Sequence, residues 1–131
     1  MSRETAQQIQ GRPSILLVED DPGIVSLLLR FLVRIAEGYD IVLVWDASEI
    51  LTYLRSRPVP LVLTDYSLLG MTGLQLTAVV KRTAPGTRVV LMTGDITIHD
   101  QARAHGVDYY LPKPFRLDTL EHIVRVVLST V

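Results

Sequence analysis

Apolar residues in this chain fall into two kinds of run that alternate from end to end. Five are short and rich in β-branched or aliphatic side chains: Ser14 to Val18, Ile41 to Trp45, Val59 to Thr64, Thr87 to Met92 and Val107 to Leu111. The middle ones are nearly unbroken, which is the pattern of strands buried on both faces of a parallel sheet. Between them, apolar residues recur at intervals of three and four. Ile24, Leu27, Leu28, Phe31, Leu32 and Ile35 make one such stripe, the signature of an amphipathic helix. Asp21 stands where a cap is needed, Pro22 suits the first turn, and Glu37-Gly38 ends the segment.

The same reading predicts a second helix over about 47–55, stopped by Pro58 and Pro60, and a third over 72–82, with Pro85-Gly86 as the turn beyond it. A shorter, more polar fourth covers 96–105 and closes at Gly106. A fifth uses Leu117, Leu120, Ile123, Val124 and Val127 as its buried stripe. Strands alternating with helices imply βαβ crossovers and an α/β sandwich with helices on both faces. In such sheets the ligand site lies outside the carboxyl ends of the strands.

Composition narrows the picture. The 131 residues are 48% hydrophobic and 21% charged, ordinary for one globular domain that buries a core without staples. Absence of cysteine removes disulfides, thiolate metal sites and thiol nucleophiles, and fits a reducing compartment. Residues 1–13 are polar and read as a flexible extension, with the domain itself over 14–131. No apolar run is long enough for a membrane span, so a cytoplasmic protein is expected. A net charge of −1, with both signs scattered, argues against direct nucleic-acid binding.

The residues just past the first, third, fourth and fifth strands are Glu19-Asp20-Asp21, Asp65, Thr93 and Lys113. All are ionisable or hydroxylic, and the topology gathers them at one edge of the sheet. Carboxylates from Glu19, Asp20 and Asp65 meeting there repel by a few kcal/mol per close pair at an effective dielectric near ~20. Lys113 offsets one negative charge. A divalent cation balances the remainder, and an all-oxygen donor set with room for water suits Mg2+. A carboxylate beside such an ion can attack a phosphoryl group, with the ion, the Lys113 ammonium and the Thr93 hydroxyl neutralising its oxygens.

Four segments then stand together: Ile15-Leu16-Leu17-Val18-Glu19-Asp20-Asp21-Pro22, Leu61-Val62-Leu63-Thr64-Asp65, Met92-Thr93-Gly94, and Tyr110-Leu111-Pro112-Lys113-Pro114-Phe115. In order and spacing they resemble the response-regulator receiver family, from about Ser14 onwards. The resemblance implies a doubly wound, flavodoxin-like five-stranded parallel sheet of order 2-1-3-4-5. It implies Asp65 as phosphoacceptor, and Glu19, Asp20, Asp65 and the backbone carbonyl of Ser67 as Mg2+ ligands. Lys113 would pair with the phosphoryl group, Thr93 and Tyr110 would be the switch pair, and Lys113-Pro114 a cis bond. Implied partners are a histidine kinase or histidine phosphotransfer protein and a downstream protein or output domain, with homodimer formation available on phosphorylation. The protein is expected to be a signalling switch, with only self-catalysed phosphorylation and dephosphorylation for chemistry.

Departures from the family pattern are local. Leu69-Gly70-Met71-Thr72-Gly73 lacks the usual Pro and Asp, Glu19 stands where Asp is commoner, Gly94 where Ala is common, and Pro112 precedes Lys113. Two other classes compete. A Mg2+-dependent aspartyl-phosphate phosphohydrolase usually carries a second Asp where Ser67 stands. A flavodoxin-like ligand-binding domain would want hydroxyls and glycines after the first strand. His99, His105 and His122 are expected on the surface, Met92 in the core, and Trp45 as packing at the end of the second strand.

Overall fold

A computed structural model describes residues 12–68 and 70–129. The elements are β1 (Ser14–Val18), α1 (Pro22–Ile35), β2 (Asp40–Leu43), α2 (Ala47–Ser56), β3 (Leu61–Asp65), α3 (Gly73–Thr83), β4 (Arg88–Thr93), α4 (His99–Ala104), β5 (Tyr109–Pro112) and α5 (Leu117–Ser129). A 3-10 turn, Ile96–Ile98, leads into α4, and a small antiparallel ribbon pairs Ser67 with Thr72 and Leu68 with Met71. The five strands are parallel in the order β2-β1-β3-β4-β5, as expected. Of the extension anticipated over 1–13, all but Arg12 and Pro13 lies outside the described residues.

Every residue of β1 and β3 is buried, which explains their unbroken apolar sequence. Successive side chains enter opposite layers. Ile15, Leu17, Leu61, Leu63, Val90 and Met92 pack with Leu28, Phe31 and Leu32 of α1 and Leu120, Ile123 and Val124 of α5. Leu16, Val18, Val62 and Val89 pack on the other face with Ile50 of α2 and Leu76 and Val80 of α3. Each fully buried aliphatic side chain stabilises the fold by about 1.5–3 kcal/mol, so a one-residue slip of β1 or β3 would forfeit several such contacts.

Caps set where the helices begin. The Asp21 carboxylate accepts from Gly23 N (2.9 Å) and Ile24 N (3.2 Å), placing the cap of α1 two residues after Glu19. Thr72 and Gln75 form a reciprocal capping box that starts α3. Asp46 accepts from Glu49 N (2.8 Å), while Glu49 accepts from Trp45 N (2.8 Å).

Two local expectations change. The cap at Asp46 turns the chain away from the sheet just after Val44, so β2 ends at Leu43 and Trp45 is 61% exposed instead of packed. The fourth helix begins as a 3-10 turn in which Asp95 accepts from both Thr97 N (2.9 Å) and Thr97 Oγ1 (2.6 Å). The run Ile96-Thr97-Ile98 is β-branched and loses side-chain freedom in a helix, and only Ile98 and Ala102 are buried there.

Candidate functional site

Strand register assembles the site. Because β1 and β3 are parallel with Val18 opposite Thr64, the chain leaves both strands side by side and Glu19 meets Asp65. Because Thr93 of β4 lies opposite Pro112 of β5, Lys113 follows immediately and its amide donates to the Thr93 carbonyl (2.9 Å). Lys113-Pro114 is cis.

The four charged groups do converge. Glu19 and Asp65 are 2% and 7% exposed, whereas Asp20 is open to solvent. One carboxylate oxygen from each of the three lies within 4.8 Å of the others. Lys113 Nζ sits 2.6 Å from Asp65 Oδ1 and 3.4 Å from Glu19 Oε1. The second oxygens are held by backbone: Ser67 N donates to Asp65 Oδ2 (3.2 Å) and Asp21 N to Glu19 Oε2 (3.1 Å). This pins the carboxylates while leaving them anionic acceptors.

Electrostatics follow from this crowding. Burial pushes the Glu19 carboxyl above its ordinary range, as does the charge of Asp65; the Asp21 amide and Lys113 oppose the rise without cancelling it. For Lys113, burial alone would favour the neutral amine. The hydrogen bond and charge of Asp65, with those of Glu19, outweigh it and raise the ammonium pKa. Three carboxylates against one ammonium leave a net negative cleft built only from oxygen donors. That donor set fits a hard divalent cation such as Mg2+ and lacks the nitrogen or sulfur ligands that zinc selects.

Thr93 is buried at the end of β4, where its hydroxyl accepts from Asp95 N (3.1 Å). Tyr110 is half-buried on β5 and reaches Thr93 through backbone: its hydroxyl donates to the carbonyls of Thr93 and Asp95, both at 3.4 Å. The Tyr110 ring stacks on His99, with centroids 5.0 Å apart and planes 10° from parallel. The two members of the expected switch pair therefore lie on adjacent strands, Thr93 at the end of β4 and Tyr110 near the start of β5, opposite Leu91. His99, His105 and His122 are exposed and Met92 is fully buried.

Sequence reasoning passed over two features. Gly73 opens α3 directly beneath the site: its amide donates to the Tyr66 carbonyl (2.7 Å), and a Cβ there would lie 2.6 Å from both the Asp65 carbonyl oxygen and Leu91 Cδ1. Its position after a capping Thr was the available signal. The stacking of His99 on Tyr110 had none, since it joins two segments only through the fold.

Residues 15–125 match the family model described as the response regulator receiver domain. Transcriptional regulatory protein GlrR of Escherichia coli (strain K12) is 38% identical over 109 residues, covering 81% of this chain and 24% of GlrR. DNA-binding response regulator MtrA of Mycolicibacterium smegmatis is 34% identical over 116 residues, covering 87% of this chain and 50% of MtrA. The chain thus spans from about a quarter to half the length of these curated relatives. The crystal structure of a signal receiver domain of an HD domain-containing protein from Pseudomonas fluorescens Pf-5 superposes with a TM-score of 0.79 at 32% identity, covering 91% of this chain and 88% of that one.

Proposed function

This chain belongs to the response regulator receiver domain family, a signalling domain of two-component systems, and we propose that it acts by accepting a phosphoryl group on Asp65. The observation that carries the reading is the contact of Lys113 Nζ with Asp65 Oδ1 at 2.6 Å beside the carboxylates of Glu19 and Asp20.

The donor would be a phosphohistidine on a histidine kinase or a histidine phosphotransfer protein. An Asp65 carboxylate oxygen attacks phosphorus, the O–P bond forms, and the N–P bond breaks with its electron pair going to the ring nitrogen. With the other nitrogen already protonated, the ring leaves as neutral imidazole. Glu19, Asp20, Asp65 and the Ser67 carbonyl would hold Mg2+, which supplies charge neutralisation to the phosphoryl oxygens when bound. Lys113 moves from pairing with the carboxylate to pairing with a phosphoryl oxygen, so one cation serves both states. The Thr93 hydroxyl takes another oxygen.

Acyl phosphate chemistry also sets the output. The group adds charge and three strong acceptors to Asp65. A Thr93 hydroxyl drawn towards them leaves Asp95 N, and Tyr110, tied to the carbonyls of Thr93 and Asp95, responds on the surface formed by α4 and β5. That surface would then engage an output domain, a downstream protein or a second copy of the chain. The receiver unit is assigned to residues 14–131 of a cytoplasmic protein; no helix among the described residues is long and apolar enough to cross a membrane.

The test is labelling by acetyl phosphate with Mg2+, followed by intact-mass spectrometry. One acid-labile phosphoryl group is expected on the protein and none on Asp65→Asn. Full labelling of that variant would remove Asp65 from this role.

A further inference from the structure

Trp45 is the only tryptophan of the chain, and the residue is 61% exposed beside Glu19 and Asp20. This exposure does not come from a loose loop. Trp45 N is bonded to Glu49 Oε1, Glu49 N is bonded to Asp46 Oδ1, and both bonds are 2.8 Å. The backbone is thus locked at the start of α2 while the residue remains largely exposed. A recess of about 320 Å³ lies beside it, lined by Val18, Val44 and Leu68 as the other apolar residues and by the carboxylates Glu19, Asp20 and Asp46. Val18 and Val44 belong to the buried core, so this part of the wall is rigid.

The geometry points to this recess as a subsite for the leaving group of a small acyl phosphate donor, with aryl acyl phosphates preferred. The inference rests on the phosphoacceptor reading of Asp65. A ligand whose phosphoryl end lies among Asp65, Lys113 and the metal carboxylates has the recess as the apolar space next to Asp20, and a planar ring fits against an indole face. A methyl group offers no ring face to stack there. Glu19 and Asp20 belong both to the carboxylate cluster and to the lining of the recess, so a single molecule carrying a dianionic head and an aromatic tail would engage the two together. In the transfer, the Asp65 O–P bond forms as the acyl O–P bond breaks, and the aryl carboxylate departs with the electron pair. Its new negative charge then faces the exposed carboxylates of Asp20 and Asp46, which favours release.

Two measurements on the whole chain in Mg2+ decide the matter. In amide NMR titrations with the slowly reacting phenyl phosphate and methyl phosphate, phenyl phosphate should bind about three- to tenfold more tightly and shift the 44–47 amides. Trp45→Ala should abolish the preference and Trp45→Phe should restore most of it. In parallel, the ratio of benzoyl phosphate to acetyl phosphate labelling rates should fall by the same factor in Trp45→Ala, a comparison in which intrinsic donor reactivity cancels. Equal binding of the two phosphates by the parent protein, or an aryl preference that survives Trp45→Ala, overturns the subsite while labelling by acetyl phosphate leaves Asp65 in place. Failure of both donors to label the protein overturns the phosphoacceptor reading and the subsite with it.

Discussion

Replacing Lys113 by Ala should make the folded domain dependent on a divalent cation. In the parent protein the ammonium lies 2.6 Å from Asp65 Oδ1 and 3.4 Å from Glu19 Oε1, with the two carboxylate side chains 10% and 1% exposed. At an effective dielectric near ~20, those contacts represent about 5–6 kcal/mol each of gross attraction, most of it offset by desolvation. Removing one partner of a buried pair costs about 3–5 kcal/mol, and because a quarter of the Lys113 side chain is exposed, about 2–3 kcal/mol is expected. The remaining oxygens lie within 4.8 Å of one another, where the same dielectric gives a gross repulsion of at least about 3.5 kcal/mol per ionised pair.

Glu19, already raised by burial and by Asp65, is the group that relieves this repulsion by taking a proton. A carboxyl with a folded pKa above the unfolded 4.5 binds more protons in the native state. The penalty is therefore absent below 4.5 and develops as pH rises through the raised value. Urea unfolding followed by circular dichroism should show the variant least stable, relative to the parent, in EDTA at neutral pH. Saturating Mg2+ at matched ionic strength should recover more stability in the variant than in the parent. Equal stability of the two proteins in EDTA would show that Lys113 does not compensate the cluster. Equal stabilisation of both by Mg2+ would show that the ion binds elsewhere.

Gly73→Ala places a methyl 2.6 Å from the Asp65 carbonyl and should destabilise the domain by about 1–3 kcal/mol and slow acetyl phosphate labelling, whereas Gly94→Ala, whose nearest neighbour is Lys113 O at 3.5 Å, should do neither. Asp108 accepts from Lys81 Nζ (2.7 Å) and Val89 N (2.8 Å) at the opposite end of the strands. Asp108→Ala should cost about 1–3 kcal/mol in urea unfolding with the labelling rate within twofold of the parent. Thr93→Ala should still accept phosphate on Asp65 but show a much smaller NMR response at Tyr110 and along 96–111; a full response would break the coupling assigned to Thr93.

Most of the architecture was readable because each strand and helix carries its own instructions. The unbroken runs of β1 and β3 require two apolar neighbours, the stripe in α1 requires one, and Asp21 and Thr72 fix where helices start whatever surrounds them. Element ends were less readable where neighbours compete. At Trp45, β propensity argued for continuing the strand, but the bonds among Trp45, Asp46 and Glu49 begin a helix instead, and the indole is left outside. At Ile96, β-branching and the Asp95 cap favour a 3-10 turn over the regular helix that the spacing alone suggests.

That Glu19, Asp20, Asp65, Thr93 and Lys113 stand at one edge follows from the order of the elements, because parallel strands joined by crossovers all end on the same side. How they meet is a matter of packing. The register of β1 on β3 and of β4 on β5 sets which side chains are neighbours, and it is fixed by packing on two faces at once. Burial pushes the Glu19 carboxyl above its ordinary range, backbone amides of Ser67 and Asp21 hold one oxygen of each buried carboxylate, and Gly73 leaves space under Asp65. None of these is a local property, since each depends on distances of a few ångströms between segments that are far apart along the chain.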